Sequence, residues 1–393
     1  MREAVIVTAV RTPVGKARKG SLSTTRPEDL GAIVVREAVN RTPGLSDREI
    51  EDAIIGCAMP EGEQGLNMAR MITILAGLPN EVPSLTVNRF CSSGLQTIAM
   101  AAERIMCGFA DVIIAGGVES MSHVPMSGYR PLPHPGLVER YPEVYMSMGH
   151  TAEEVARRYR IDRKKQDAFA AESHRKAATA IAQGRFKDEI VPVQGSKYVQ
   201  DSQGKWQRQN FKLEHDEGVR PDTTVEVLSR LRPVFMEGGT VTAGNSSQMS
   251  DGAAAVVGLS RDRAEKMGLK PLAVFRSFAA AGVDPEVMGI GPVEAIPKAL
   301  NMAGITIDQV DLFEINEAFA SQCVYIIEHL GLDPEKVNVN GGAIALGHPL
   351  GCTGAKLTVT LLHEAQRRGS RYGVVSMCIG GGMGAAAVFE FEQ

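Results

Sequence analysis

Near-continuous apolar runs punctuate this chain at Ala4 to Val7, Ala53 to Gly56, Val112 to Ala115, Ala254 to Leu259 and Gly373 to Met377, with helix-spaced apolar positions between them. A strand that is apolar on both faces must be covered on both. The pattern therefore predicts an α/β fold with a parallel-rich sheet between helical layers. Leu85-Thr86-Val87-Asn88 reads as one more buried strand, leading through Arg89, Phe90 and Cys91 into Ser92-Ser93-Gly94 and the helical run Leu95 to Met106.

The pattern also repeats. Residues 31–56 align without a gap on residues 291–316: Gly31 falls on Gly291, Ile33 on Val293, Gly44 on Gly304, Ser46 on Thr306, Ile50 on Val310 and Ile55 on Ile315. Each copy reads as an amphipathic helix, a turn, a short acidic helix start and a buried strand. Val87-Asn88 and Val339-Asn340 form a second match, each followed by a glycine-containing turn, a helix and a strand, at Asp111 to Ala115 and Tyr372 to Met377. Two related α/β halves are expected, one from 1–118 plus about 247–270 and the other from 271–393.

Residues 119–246 interrupt the repeat. Pro125, Pro131, Pro133, His134 and Pro135 precede a charged helix, Thr151 to Gln183, with Ala156, Phe169, Ala170, Ala177 and Ile181 along one side. This segment is expected to be a loop domain covering a site.

Composition removes several function classes. At 393 residues the chain exceeds one ordinary core, which points to two or three domains. Apolar residues at 44% and charged residues at 22%, with a formal net charge of -4, give no argument for disorder or for a nucleic-acid partner on a basic face, and leave local basic sites open. No apolar run approaches the roughly 18 residues that span a bilayer, so membrane insertion is not expected. The first ten residues read as a strand of the mature fold, not a signal core. The six cysteines (57, 91, 107, 323, 352 and 378) contain no CxxC pair, which fits free thiols in a reducing, cytoplasmic setting. Without HExxH, zinc-type spacing or an acidic calcium loop, no metal is expected.

Four places carry chemistry. Cys91 stands at a helix start, where the dipole and free N–H groups favour a thiolate and can bind an oxyanion, although a lone cysteine is more often a small core residue. His348 is the only titratable group in the glycine-rich loop Asn340 to Gly351, which leads to a helix around Lys356 to Arg368. Cys378 precedes Gly380-Gly381-Gly382, whose N–H groups suit an oxyanion. Asn316 ends the repeated strand and can hold a water or carbonyl oxygen, with Glu317 orienting neighbours. Gly382-Met383-Gly384-Ala385-Ala386-Ala387 fits a dinucleotide fingerprint, but the chain continues as a strand where that fingerprint must open a helix. Pseudo-twofold packing would bring these strand ends into one pocket.

The blocks Val87 to Gly94, Asn316 to Phe319, Gly347 to Gly351 and Cys378 to Gly382 together resemble the thiolase family. So do Gly117 to Ser122, Met148 to Glu153 and Thr240 to Ser247, which extends the resemblance over essentially the whole chain. It implies a thiolase-like fold of five layers, αβαβα, with an inserted loop domain. It also implies a ping-pong acyl transfer with coenzyme A as co-substrate and no permanently bound cofactor. Cys91 would carry the acyl group, Cys378 would move the proton at carbon, and His348 would activate Cys91 and, with a water on Asn316, bind the thioester oxygen. The N–H groups of Cys91 and Gly380 would form a second oxyanion site. Ser247 and Met148 would lie near the pantetheine and Arg220 near the nucleotide. Val227 lacks the hydroxyl seen in some members, which leaves the adenine-end contacts open.

Cys-Ser-Ser-Gly, Val-Glu-Ser-Met and Asn-Ser-Ser-Gln look like the degradative branch of fatty-acid β-oxidation. A homotetramer built as a dimer of dimers, with room for a β-oxidation partner enzyme, is implied as well. The alternatives are a biosynthetic acetoacetyl-CoA thiolase, a decarboxylating ketoacyl synthase, which would not need Cys378, and a non-catalytic acyl-CoA-binding scaffold, which would need neither both thiols nor the histidine.

Overall fold

The computed structural model describes residues 2–201 and 203–392. Its main strands are β1 (Ala4–Arg11), β2 (Asp52–Gly56), β3 (Ser84–Val87), β4 (Val112–Ser120), β5 (Ser250–Ser260), β6 (Ala273–Gly282), β7 (Leu312–Ile315), β8 (Tyr372–Ile379) and β9 (Met383–Glu390). They follow the order β7-β8-β9-β6-β1-β5-β4-β2-β3, so β5, far along the chain, inserts between β1 and β4. The half-sheets meet at β1 and β6 through only two residue pairs, Val5 with Val274 and Ile6 with Ala273.

Helices α1 (Pro27–Asn40) and α2 (Met68–Leu75) cover one outer face, α6 (Gly291–Ala303) and α7 (Ala320–Leu330) the other, and α3 (Ser93–Met106) and α8 (Leu350–Arg368) lie between the half-sheets. Alternation along a strand accounts for the layering. In β2, Ala53 and Ile55 join the core under α1 and α2, while Ile54 joins the central core with Leu95, Ile98 and Leu357. The result is the five-layer αβαβα arrangement. The central helices approach closely because two glycines let them: a Cβ on Gly354 would lie 2.3 Å from the Leu95 nitrogen, and one on Gly94 would lie 2.7 Å from the Ala355 nitrogen.

The repeat holds down to single caps. Ser46 and Thr306 each cap a one-turn helix, Asp47–Glu49 and Ile307–Gln309, with Glu49 and Gln309 reaching back to complete a capping box before β2 and β7.

Three local expectations change. The sheet is mixed: β2 pairs in parallel with β3 and β4, and β7 with β8, while the other described ladders are antiparallel. Apolar runs record burial on both faces, whereas direction is set by connections such as the tight turn that returns β9 against β8. β3 is not a buried strand. It is the sheet edge, with Leu85 exposed. The long charged helix is two helices, α4 (Met148–Arg158) and α5 (Arg163–Ala182), broken where Arg160 takes a left-handed φ of 58° and Asp162 caps the second through the Lys165 N–H.

An ionic cluster beneath α8 ties the inserted segment to the core. Arg11, fully buried on β1, donates to Glu189 (2.6 Å) and to both oxygens of Asp216 (2.7 and 2.9 Å). Thr360 on α8 donates to the same Glu189 oxygen, and Lys356, one turn earlier, is also buried. Burial raises the Glu314 carboxyl above the ordinary carboxylate range, against the pull of Lys356.

Candidate active site

Cys91 sits in the one-turn helix Phe90–Ser92 that runs directly into α3. The turn is held from both sides: Asn88 Oδ1 accepts the Phe90 N–H (2.8 Å), and Ser93 Oγ accepts from the Arg89 N–H (2.9 Å) while donating to the Phe90 carbonyl (2.6 Å). Phe90 pays with a left-handed φ of 43°, a strain of about 1–3 kcal/mol for a non-glycine residue. This geometry turns the thiol inward, against Ala58, Met121 and Leu350. Burial pushes the Cys91 pKa up to about 12, while the N–H groups of Gly380 and of Cys91 itself, facing the sulfur, pull it down. The resting group is a thiol with two donors aimed at it.

Cys378 lies near the end of β8, before Gly381 and Gly382 turn the chain at φ of 82° and 86° into β9. A strand follows the glycines, so the dinucleotide reading is excluded by structure as well. Burial raises the Cys378 pKa, and negative charge on Cys91 raises it further. Gln322 Oε1 stands 3.9 Å from the Cys378 sulfur, as acceptor of its S–H.

His348 is carried at the start of α8, which begins at Leu350, six residues earlier than the sequence pattern indicates. Gly347 makes the approach possible: its φ is 98°, and a Cβ there would lie 2.3 Å from Ser250 Oγ. The His348 N–H is then held by the Gln248 carbonyl (3.0 Å). Its ring is fixed at both nitrogens. Nδ1 lies 2.6 Å from Thr353 Oγ1, which donates its only proton to the Pro349 carbonyl (3.0 Å). Thr353 must therefore accept from Nδ1–H, and Nε2 is left as the acceptor for the Asn316 Nδ2–H. Burial, reinforced by the charge of Lys356, lowers the imidazole to about 3, so a neutral base stands here at physiological pH.

Asn316 follows β7, fully buried, with Nδ2 3.2 Å from His348 Nε2 and Oδ1 without a partner among the described residues. Glu317 accepts from Ser173 Oγ (2.6 Å) on α5, from Asn338 Nδ2 (2.9 Å) and from the Ile344 N–H (3.1 Å), joining the inserted segment to the His348 loop.

A cavity of about 370 Å³ opens onto this group, lined by His348, Leu350, Met121, Phe319, Met148 and Ser247 among others. Arg220 does not line it. With His174 and Val227, Arg220 lines an adjoining cavity of about 280 Å³ that shares Ala243 and Gln248 with the first. The fold thus sets His348, Met148 and Ser247 on the wall of one cavity, with Asn316 beside His348, Cys91 packed behind Met121 and Leu350 and Cys378 behind Ala318 and Phe319, and places Arg220 one chamber away.

Thr353, Gln322 and Glu119 were not singled out by sequence. Starting the last helix at Lys356 hid Thr353, and Gln322 showed only as a polar residue three positions after Phe319. Glu119 is buried and accepts from the Ala58 and Gly351 N–H groups (2.8 Å each) and from Gln64 Nε2 (2.6 Å), fastening the first turn of α8 to the Cys91 side. No group of three or more His, Cys, Asp or Glu side chains among the described residues is arranged to hold a metal, and no described helix is long and apolar enough to cross a membrane.

Family comparison agrees with this geometry. The thiolase N-terminal domain matches residues 4–262 and the thiolase C-terminal domain residues 269–391. The chain is 63% identical over 390 residues to the 3-ketoacyl-CoA thiolase of Bacillus subtilis, covering 99% of this chain and all of that one. It is 50% identical over 397 residues to the peroxisomal 3-ketoacyl-CoA thiolase A of Mus musculus, covering 99% and 91%. In structure it superposes on the Bacillus anthracis acetyl-CoA acetyltransferase with a TM-score of 0.90 at 41% identity, covering 100% of this chain and 99% of the other. Two thiols, an imidazole and an amide on five αβαβα layers, matched end to end by both domains, place this chain in the thiolase family.

Proposed function

We propose that this protein catalyses thiolytic cleavage of 3-oxoacyl-CoA by coenzyme A, giving acetyl-CoA and an acyl-CoA shorter by two carbons, in fatty-acid β-oxidation. The observation that carries the reading is the neutral His348, held with Nε2 as acceptor on the wall of a cavity whose other lining residues cover two buried thiols, Cys91 and Cys378. The degradative relatives at 50–63% identity support the direction of the reaction.

In the first half, the Cys91 proton passes to His348 Nε2 and the thiolate attacks the 3-keto carbon. The bond between C2 and C3 breaks, leaving an acyl thioester on Cys91 and the enolate of acetyl-CoA. His348, now protonated at Nε2, and a water held by Asn316 bind the enolate oxygen, while the Cys378 S–H protonates C2. In the second half, the Cys378 thiolate takes the proton of the incoming CoA thiol. CoA sulfur adds to the Cys91 thioester, the N–H groups of Cys91 and Gly380 hold the oxyanion, and Cys91 leaves as a thiolate that takes back the proton held on His348 Nε2. Two thiols are required because the first is occupied as a thioester when the carbon acid is handled. CoA is a co-substrate, with pantetheine along Met148 and Ser247 and the nucleotide towards Arg220.

On this reading residues 119–246 form the loop domain over the cavities, between halves at 1–118 plus about 247–270 and at 271–393. A homotetramer working in the cytoplasm, with a β-oxidation partner enzyme, completes the proposal. The open edge of β3, flanked by exposed Leu66, Ile74, Leu75 and Leu85, supports pairing between copies. Steady-state kinetics with acetoacetyl-CoA against 3-oxoacyl-CoA of eight to sixteen carbons tests the function. Parallel double-reciprocal lines and turnover across the series are expected; turnover confined to acetoacetyl-CoA, with condensation of acetyl-CoA, would instead establish the biosynthetic reading.

A further inference from the structure

Two buried thiols stand in this site, and the groups that face their sulfurs differ in polarity. The Cys91 sulfur meets the N–H groups of Gly380 and of Cys91 itself. The Cys378 sulfur meets its own N–H and, at 3.9 Å, Gln322 Oε1. Which end of the Gln322 amide points there is fixed by a second contact: the Phe319 N–H donates to the same atom (3.3 Å), closing a capping box at the start of α7, and an amide nitrogen could not accept it. The side chain is fully buried, and its room depends on Gly289, where a Cβ would lie 2.8 Å from Gln322 Cβ. Nε2 is buried without a partner among the described residues, so the amide is held through its oxygen alone. The cap gives that oxygen a structural use. Its effect on Cys378 follows from charge.

We propose that Gln322 is a positioning residue that holds the proton on Cys378 and so directs the first deprotonation to Cys91. An amide oxygen is the negative end of the amide dipole. It favours an S–H that donates to it and repels a thiolate in the same place, whereas the paired N–H groups at Cys91 do the reverse. The proposal rests on the thiolysis reading, which needs Cys91 as nucleophile and Cys378 as acid in one half-reaction, and adds what sorts two chemically equal thiols into those roles. The stored proton stays usable. The S–H turns about the Cβ–Sγ bond from Gln322 towards C2 of the enolate, where the S–H bond breaks and a C–H bond forms. The thiolate left behind faces the amide oxygen again, which keeps it basic enough to take the proton of the CoA thiol and return to the resting S–H.

Iodoacetamide reacts with the thiolate, so the rate at which Cys378 is alkylated at pH 9, with the site mapped by peptide mass, reads how firmly its proton is held. The comparison is made in the full-length Cys91→Ala chain, alone and combined with Gln322→Met, Gln322→Glu or Met288→Ala. Met288 is packed with Cys378 and offers it no amide, so its truncation reports looser packing by itself. Gln322→Met removes the acceptor at nearly constant shape and is expected to raise the rate about tenfold, the worth of one hydrogen bond. Gln322→Glu keeps an oxygen in place and should stay at or below the parent rate, and Met288→Ala should rise less than about threefold. Gln322→Asn, which draws the amide back by one methylene, gives the same reading as Gln322→Met should that variant fail to fold. A change below about threefold on removing the acceptor, a rise in Gln322→Glu, or a rise in Met288→Ala as large as that in Gln322→Met overturns the proposal. Absence of 3-oxoacyl-CoA cleavage by the wild type would instead refute the thiolysis reading and leave the alkylation rates as they are.

Discussion

Gly56 and Asn316 occupy equivalent positions in the two halves, as do Val118 and Cys378. Gly56 pairs with Gly117 across β2 and β4, and the Asn316 N–H reaches Ser376 across β7 and β8, so the register is the same. Yet the second half places an amide and a thiol where the first has glycine and valine. The surroundings account for the difference. The end of β4 is closed off by the start of α8: a Cβ on Gly117 would lie 2.2 Å from the Gly351 carbonyl oxygen, and Glu119 holds the Gly351 N–H. The matching end of β8 packs instead against Ala318, Phe319 and Met148, which line the cavity. One half therefore supports the helix that carries His348, and the other supplies most of the groups to which the proposed mechanism assigns chemistry. Cys91 is the exception, delivered by α3 from the supporting half. Duplication provides a frame with two equivalent strand ends; packing decides which end is free to do chemistry.

Substitutions on the two sides should separate these roles. The largest effect is expected at His348: His348→Ala should lower kcat/KM by about 10⁴-fold, because base and enolate contact are lost together. Asn316→Ala should cost about 10²–10³-fold in kcat, the range for one donor to a developing oxyanion. Thr353→Val, which removes the acceptor that fixes the His348 tautomer, should lower kcat about tenfold with little change in KM, and Thr353→Ser should restore it. The smallest effect on activity belongs to the supporting half. Val118→Ala should cost about 2 kcal/mol in denaturant unfolding, as a buried large-to-small change does, while turnover shifts less than about threefold.

The pH profile sharpens the same contrast. Burial lowers His348 to about 3, so the imidazole is neutral and basic above that value and is protonated only as the pH falls towards it. kcat/KM should therefore stay level from pH 8 down to about 5, with no acid limb near the ordinary imidazole value of about 6.5. A limb at 6.5 in stopped assays across that range would show that His348 is not held in the dry setting described.

Much of this was legible in the sequence because it is local. The capping boxes at Ser46 and Thr306, the strand ends at Asn316 and Cys378, and the glycines around His348 all write their geometry into a few neighbouring residues. What stayed hidden depends on distant partners. Leu85 reads as buried, because its open edge is a property of sheet order and not of its own segment. Arg11 and Lys356 read as ordinary charges, since nothing nearby in the chain announces that Glu189, Asp216 and Glu314 will enclose them. The break at Arg160 was missed because a left-handed arginine leaves no glycine to mark it. Arg220 was placed by resemblance alone, and the structure sets it in the adjoining chamber.

Cys91 is assigned the acyl group and Cys378 the protons, and intact-protein mass after brief mixing with a short acyl thioester of an acidic thiol, whose departure needs no proton from Cys378, separates the two roles. Cys378→Ala should gain the mass of one acyl group and retain it when CoA is added, while Cys91→Ala should gain none. An adduct that survives in Cys91→Ala, or one that fails to form in a folded Cys378→Ala, would contradict the account.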